Sequence, residues 1–152
     1  FARLSDLQAH IKTPVCLDES VVTAQDMEEA MDFDNLKCYA LKVAKFGGIQ
    51  PTLDFYKWAR EQGKVTWMGG IFDTGVYKRM HAAFATLPGM DLPADVSDFT
   101  EYFEHDTALP PLQLHEGELV LNTVDHPAGL GCVLDKEYLR SVLVDEVTIA
   151  KD

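Results

Sequence analysis

The segments VCLDES (residues 15–20) and CYALKVAKFGG (residues 38–48) give the clearest indication of how this chain folds. Each is a short apolar run that ends in charged residues, Asp18 and Glu19 in the first and Lys42 in the second. Such runs are typical of buried parallel strands, whose carboxyl ends carry the chemistry of α/β folds. Asp18 and Lys42 are 24 residues apart, about one strand–helix repeat. We therefore expect a carboxylate and an amine side by side on adjacent strands.

The composition predicts one globular domain with a sizeable core, because 47% of the 152 residues are hydrophobic and 25% are charged. Acidic residues outnumber basic ones 25 to 13, and no Lys or Arg cluster is present, so we expect no nucleic-acid partner. No apolar run approaches the ~20 residues of a membrane span, so we expect no membrane association. We interpret Cys16, Cys38 and Cys132 as reduced, buried thiols, which favours a cytoplasmic location.

The rest of the chain continues the alternation of strands and helices. Apolar segments recur at steps of 24 to 27 residues, marked by Val15, Tyr39, Val65 and Leu92. This is the period of a barrel or an open parallel sheet, with the fourth strand over residues 92–96. Helices are predicted between the strands: residues 4–11, a segment capped by Thr23 and Asp26, residues 51–63 and residues 76–87.

The regular alternation of predicted strands and helices ends after Thr100. Short apolar segments on both sides of residues 115–118 predict a hairpin. Residues 127–131 contain two glycines and predict a loop, residues 135–143 predict a helix, and residues 147–150 predict an extended tail. We find no low-complexity linker that would divide the chain.

From the residues alone, each of these polar side chains can be interpreted as functional or as structural. Lys42 lies in an apolar run, where an amine needs a partner or a route to the surface, and this favours a functional role. By itself Asp18 is more typical of a solvated loop or a helix cap than of a metal ligand. Lys45 is interpreted as solvated surface charge, and the glycine pairs 47–48 and 69–70 are too weak a pattern to predict a phosphate-binding loop. The histidines show no metal-ligand spacing and are interpreted as surface or packing residues: His10, His81, His105, His115 and His126.

Five strings carry a family resemblance: TPVCLDES (13–20), ALKVAKFGG (40–48), TWMGGIFDTG (66–75), LPADVS (92–97) and PAGLGCVLD (127–135). In order and spacing they resemble the second half of enolase-superfamily proteins of the muconate-lactonizing subgroup. That subgroup includes muconate cycloisomerase, o-succinylbenzoate synthase, N-acylamino acid racemase and the dipeptide epimerases. The resemblance covers nearly the whole chain.

The resemblance implies an α/β fold: the C-terminal half, about strands five to eight, of a (β/α)7β TIM-type barrel with a C-terminal extension. Residues 1–152 would form this partial barrel domain, and the capping domain and first half of the barrel would be absent from the sequence. A half-barrel leaves strand edges open. We therefore expect self-association, or pairing with the missing half-barrel.

The implied activity is removal of the proton next to a substrate carboxylate, giving an enediolate that is stabilised by Mg2+ or Mn2+. By resemblance Asp18 is a metal ligand, Lys42 is the acid/base, and Asp73 and Ser97 contact a small carboxylate substrate. Glu19 is next to Asp18 in the sequence, and from this position we expect it to orient Lys42 or the metal as a further catalytic residue. Mg2+ prefers oxygen ligands, and its charge would stabilise the enediolate oxygens. We expect the pKa of a lysine beside such a metal to be lowered toward working pH.

Several functions stay open within the resemblance. Residues 69–89, followed by PADVS, favour o-succinylbenzoate synthase or N-acylamino acid racemase, whereas ALKVAKFGG favours muconate cycloisomerase; a dipeptide epimerase is a further alternative. A non-catalytic half-barrel that acts as a structural or interaction module is the alternative from another class. Because the other metal carboxylates of the family are absent, we expect the isolated chain to be inactive.

Overall fold

The computed structural model describes residues 1–121 and 128–149 of a mixed α/β chain. Helices and strands alternate in the first part: α1 Ala2–His10, β1 Cys16–Leu17, α2 Ala24–Met31, β2 Cys38–Leu41, α3 Ile49–Glu61, β3 Val65–Met68 and α4 Gly75–Ala85. A 3₁₀ turn, short strands and one helix follow: Phe99–Glu101, β4 Ala108–Leu109, β5 Leu114–His115, β6 Glu118–Leu119, β7 Val133–Leu134 and α5 Lys136–Ser141. The chain divides into two compact units, Phe1–Ile71 with His81–Val96 and Phe72–Met80 with Ser97–Asp152.

A parallel sheet of order β1-β2-β3 forms the centre of the first unit and confirms the first three predicted strands. Leu17 lies opposite Tyr39, and Leu41 lies opposite Met68. All four residues of β2 are buried, as expected for the middle strand. Because the strands are parallel and in register, their carboxyl ends meet at one edge of the sheet.

One face of this sheet packs against α3. Tyr39 contacts the Phe55 ring edge to face at 5.2 Å and the Trp58 ring at 6.2 Å. The apolar residues on this face are almost fully buried: Leu17, Tyr39, Leu41 and Met68. Side chains alternate between faces along a strand, so Cys16, Cys38 and Trp67 point to the other face. Asp18 and Lys42 are two and four residues beyond Cys16 and Cys38, so by the same alternation their side chains lie on this other face.

The helix boundaries follow the predicted signals. Thr23 and Asp26 form the predicted capping box, in which Thr23 Oγ1 accepts from the Asp26 amide at 3.1 Å and the Asp26 carboxylate accepts from the Thr23 amide at 2.7 Å. Helix α3 begins two residues before Pro51, after Gly48 at a φ of 127°. That left-handed backbone favours glycine.

The predicted fourth strand over residues 92–96 is wrong: the structure has no strand there. One backbone hydrogen bond joins this segment to β3, from the Asp95 amide to the Met68 carbonyl at 2.9 Å. Pro93 has no amide hydrogen to give to a ladder. Leu92 is also 44% exposed, which shows that the segment is not a buried strand.

The second unit contains two small antiparallel sheets. The hairpin β5–β6 confirms the prediction, and its turn is Glu116–Gly117, with φ angles of 50° and 84°. Positive φ at both turn positions suits the twist of a two-residue hairpin. The pairing of β4 with β7 was not predicted, because two-residue strands leave no periodic pattern. The predicted helix near residue 135 is α5, which begins after the Asp135 cap.

Some predictions fall outside the described residues, namely the structure at Pro127, at His126 and at Ala150. The prediction of three buried thiols is wrong in part. The cysteines are free, but Cys16 is exposed, Cys132 is half-buried and Cys38 alone of the three is buried. No helix in the described ranges is both long and apolar enough to cross a lipid bilayer.

Candidate functional site

Three charged side chains meet where β1 and β2 end. The Lys42 ammonium lies 2.9 Å from Asp18 Oδ1, 3.0 Å from Asp18 Oδ2 and 2.9 Å from Glu19 Oε1. Asp18 and Glu19 directly follow β1, and Lys42 directly follows β2. The predicted adjacency of Asp18 and Lys42 is therefore confirmed, and Glu19 contacts Lys42 as well.

The three side chains differ sharply in exposure. Lys42 is 6% exposed at its side chain, Asp18 33% and Glu19 78%. The amine is therefore held in the sheet, whereas the carboxylates lie between it and solvent. A buried ammonium loses its water and needs compensating charge, which these carboxylates supply.

Lys45 belongs to this cluster, and the interpretation of Lys45 as solvated charge is wrong. Its ammonium donates to the Asp18 carbonyl oxygen at 2.7 Å and lies 3.0 Å from Asp18 Oδ1, with 14% of the side chain exposed. The Lys45 amide donates to the Lys42 carbonyl, so a turn brings the two lysines to the same carboxylate. The spacing of three residues between the lysines fits one turn of chain, but it does not by itself indicate that Lys45 reaches Asp18.

The charges in the cluster stabilise one another. Burial lowers the pKa of Lys42, but the hydrogen bonds with Asp18 and Glu19 outweigh it and leave the pKa raised. Burial likewise raises the pKa of Asp18, and the hydrogen bonds from Lys42 and Lys45 outweigh it and leave the pKa lowered. The hydrogen bond from Lys42 lowers the pKa of Glu19. The lowered pKa expected for Lys42 applies to a lysine beside a metal and stays a prediction, whereas in this cluster two carboxylates face the amine and raise its pKa.

These residues do not fit a self-contained magnesium site. Mg2+ requires octahedral oxygen coordination, and here both oxygens of Asp18 already accept hydrogen bonds from lysines. Within residues 1–121 and 128–149, no group of three or more His, Cys, Asp or Glu side chains is arranged to hold a metal ion. Any metal bound at Asp18 would need further oxygen ligands from elsewhere.

Gly69 leaves the space that Lys42 occupies. A Cβ atom at Gly69 would lie 2.7 Å from Lys42 Cε, and one at Gly70 would lie 2.4 Å from the Asp95 carbonyl oxygen. Neither residue has the positive φ found at Gly47 and Gly48. The pair 69–70 therefore serves close packing and not a left-handed turn, a role that the sequence did not reveal.

Two thiols adjoin the cluster on the same face of the sheet. Cys16 and Cys38 are register partners on β1 and β2, and Trp67 Nε1 donates to Cys16 Sγ at 3.2 Å. The hydrogen bond with Cys38, helped by the Trp67 contact, outweighs the opposing effect of burial and leaves the pKa of Cys16 lowered to about 6. The hydrogen bond with Cys16 and burial raise the pKa of Cys38.

Asp73 and Ser97, the two residues predicted to contact substrate, belong to the second unit of the chain. Asp73 is 9% exposed. Ser97 Oγ accepts a hydrogen bond of 2.8 Å from Lys78, whose ammonium also donates to the Asp98 carbonyl oxygen at 2.7 Å. Lys78 is 3% exposed and lies 4.9 Å from the centroid of the Tyr102 ring.

Comparison with known proteins identifies the family. Residues 1–138 match the family model described as enolase C-terminal domain-like. The chain is similar to the N-succinylamino acid racemase of Thermus thermophilus, at 32% identity over 94% of this chain and 37% of the relative. It is also similar to the o-succinylbenzoate synthase of Bacillus subtilis, at 29% identity over 88% of this chain and 35% of the relative.

A solved structure agrees with these relatives. The muconate cycloisomerase of Pseudomonas fluorescens superposes with a TM-score of 0.80 at 26% identity, over 92% of this chain and 38% of that one. The chain spans little more than a third of the length of the relatives that it matches. It shares with them the α/β fold of a TIM-barrel-type half. The parallel sheet, the cluster at its carboxyl edge and these similarities together show that the chain belongs to the enolase C-terminal domain-like family of the enolase superfamily.

Proposed function

We propose that this chain is the C-terminal part of an enzyme that removes the proton α to a carboxylate and stabilises the resulting enediolate. In this proposal β1, β2 and β3 correspond to barrel strands five, six and seven. The observation that carries the proposal is the buried Lys42 ammonium, held between Asp18 and Glu19 at the carboxyl ends of two parallel strands. Such strand ends are where barrels of this type build active sites.

Lys42 is the acid/base in this proposal. An α proton is removed only by a neutral amine, whereas Asp18 and Glu19 favour the protonated form of Lys42. In this arrangement Lys42 is protonated and can donate a proton. Lys42 can accept a proton only after its contact with the two carboxylates is weakened. Glu19 orients the Lys42 ammonium from the solvent side, and Lys45 donates a hydrogen bond to one oxygen of the Asp18 carboxylate.

Asp18 is the proposed metal ligand of the whole protein. Mg2+ or Mn2+ would take its remaining ligands from outside this chain, because the described residues provide too few. When bound, the metal would supply positive charge for an enediolate. Asp73 and Ser97 are the proposed contacts to a small carboxylate substrate.

The substrate class is o-succinylbenzoate synthase-like or N-acylamino acid racemase-like. This choice is supported by relatives with those activities in their names, at 29% and 32% identity. Muconate cycloisomerase activity is the second candidate, supported by the solved structure at 26% identity. A dipeptide epimerase is a further alternative. Free cysteines, which are typical of a reducing compartment, support a cytoplasmic location.

The partner that we propose completes the sheet, either a second copy of this chain or the remaining half of a barrel. Strands β1 and β3 are the outer strands of the three-stranded sheet. An outer strand exposes backbone hydrogen-bonding groups that another strand can pair with. A non-catalytic half-barrel is the alternative, but it would have no need of a buried, doubly paired lysine.

The test uses the product of the complete reading frame that encodes this chain. We expect dehydration of the o-succinylbenzoate precursor, or racemisation of N-succinylamino acids, and a loss of about 100-fold or more in Lys42→Ala. The matched control is Lys57→Ala, because Lys57 is an exposed lysine on α3. No activity with either substrate class, or an unaffected Lys42→Ala, would contradict the proposal.

A further inference from the structure

His81 on α4 is a buried histidine at the carboxyl ends of β2 and β3. It is 1% exposed. The Val43 amide donates to His81 Nε2 at 3.2 Å, and the imidazole also hydrogen-bonds the backbone of Gly69. Val43 lies just beyond β2 and Gly69 just beyond β3. One ring therefore joins the two strand ends on either side of Lys42.

The hydrogen bonds define the tautomer of the ring. Because Val43 donates its amide hydrogen, Nε2 of His81 is unprotonated, and the ring proton lies on Nδ1. The bond with Gly69 raises the pKa of His81, as a bond donated to a carbonyl oxygen does. His81 thus accepts from one strand end and donates to the other.

Both backbone partners bear directly on the position of Lys42. Val43 directly follows Lys42, so the amide that donates to His81 belongs to the peptide bond between Lys42 and Val43. Gly69 borders the side chain, because a Cβ there would lie 2.7 Å from Lys42 Cε and 3.4 Å from its Cγ. A shift of either strand end would therefore move the amine relative to Asp18 and Glu19.

We propose that His81 is a positioning residue for Lys42: its neutral imidazole fixes the ends of β2 and β3 and so sets where the Lys42 ammonium lies. This inference rests on the proposed acid/base role of Lys42 for its functional meaning, but the geometric part stands by itself. His81 does not touch the reacting atoms in this proposal and acts through the backbone.

Neutrality of the ring suits this role. Burial, together with the positive charge of Lys42, outweighs the raising effect of the bond with Gly69 and leaves the pKa of His81 lowered to about 4. At neutral pH the ring therefore keeps the lone pair that the Val43 amide needs. A phenyl ring would fill the same space without either hydrogen bond.

The test compares three substitutions at His81 in the full 152-residue chain. His81→Phe keeps a ring but loses both bonds. His81→Gln places an oxygen near the position of Nε2, and His81→Asn places an amide near the position of Nδ1. The control is Phe84→Leu, a buried change on the same helix at a side chain that cannot hydrogen-bond either strand end. Two readouts are measured at pH 7: hydrogen exchange of the Val43 amide, and the rate at which an amine-selective acylating reagent modifies Lys42 relative to exposed Lys57.

We expect His81→Phe to speed Val43 exchange by about tenfold relative to core amides of α3, and to change the Lys42 modification rate severalfold. His81→Gln should restore Val43 protection, whereas His81→Asn should not. In the active protein, His81→Phe should lower kcat with KM little changed. If His81→Phe does not fold, the contrast between Gln and Asn decides the question.

Any of three results would overturn the inference. One is wild-type Val43 exchange and wild-type Lys42 modification in His81→Phe. The second is an equal effect of Phe84→Leu, and the third is identical behaviour of the Gln and Asn variants, since either would reduce His81 to a packing residue. Failure of the proposed enzyme function would instead leave these exchange and modification results intact and show only an absence of turnover, so the two failures are distinguishable.

Discussion

Lys42 Nζ and Asp18 Oδ1 lie 2.9 Å apart, although 24 residues separate the two in the chain. The contact exists because β1 and β2 are parallel neighbours whose carboxyl ends share one edge of the sheet. Lys45 Nζ lies 3.0 Å from the same oxygen, so a single carboxylate faces two ammonium groups. Asp18 is therefore the carboxylate that both lysines of the cluster contact.

Removing the charge of Asp18 should destabilise the chain. In Asp18→Asn the Lys42 ammonium stays buried but loses its principal partner, and we expect a loss of about 1 to 2 kcal/mol in the free energy of unfolding. Urea denaturation at pH 7 measures this loss. Glu19→Gln is the control and should have a much smaller effect, because Glu19 is 78% exposed at its side chain. Equal stability of the wild type and Asp18→Asn would show that Lys42 finds other compensation.

Stability should decrease as the pH falls from about 6.5 to about 4 because of His81. The pKa of His81 is about 4 in the folded chain, against 6.5 for an unperturbed histidine, so between these values the unfolded state binds the extra proton. Protons therefore favour unfolding as the pH falls through this window, and above it both states are neutral. The loss should total about 3 kcal/mol.

Urea denaturation at several pH values measures this slope. His81→Phe should have a flatter profile in the same window. Asp18 and Asp98, whose pKa values lie below the ordinary 3.8, contribute at lower pH, since they must be protonated to lose their native partners. An unchanged slope in His81→Phe would contradict the assignment to this residue.

Glycine-to-alanine changes at residues 69 and 70 should have different effects. In Gly69→Ala the new methyl group meets Lys42 Cε, which is part of a side chain and not of the backbone, so the amine moves and stability falls less than in Gly70→Ala. In Gly70→Ala the methyl group meets the Asp95 carbonyl oxygen at 2.4 Å, and backbone must shift, at a cost of about 1 to 3 kcal/mol. Thermal melts compare the stabilities, and Lys42 acylation rates report the displaced amine. A larger loss of stability in Gly69→Ala would show that the Lys42 side chain has no room to move.

The chain alone should not bind Mg2+ at micromolar concentration, because one carboxylate already paired with lysines does not make an octahedral site. Isothermal titration calorimetry measures this directly. Micromolar binding that Asp18→Asn abolishes would contradict the expectation and would mean that the chain holds a complete site.

Self-association is the last expectation that can be measured on the chain itself. Static light scattering should give a mass above 17.0 kDa, because the outer strands of the parallel sheet offer unpaired backbone groups. The substitution Thr66→Pro in outer strand β3 should reduce the mass, provided that circular dichroism shows the fold to be retained. A cooperative monomer in the wild type would contradict this expectation.

Local sequence patterns determined much of the fold. The apolar segments predicted β1, β2 and β3, and the Thr23–Asp26 pair predicted the start of α2, because strand and cap signals depend on residues a few positions apart. The contact between Asp18 and Lys42 was also predictable, since one strand–helix repeat returns the chain to the same edge of the sheet. The pattern failed at residues 92–96, where an apolar run containing Pro93 forms no strand.

The parallel strands, their helices and the Asp18–Lys42 pair at the strand ends are predictable from the amino-acid sequence, because each depends on periodicity or on one repeat length. Three features are visible only in the folded chain: Lys45 shares the Asp18 carboxylate, Gly69 makes room for Lys42, and His81 joins two strand ends. The Asp18–Lys45 and Val43–His81 contacts span 27 and 38 residues. They depend on which side chains packing brings together, and no local spacing encodes that.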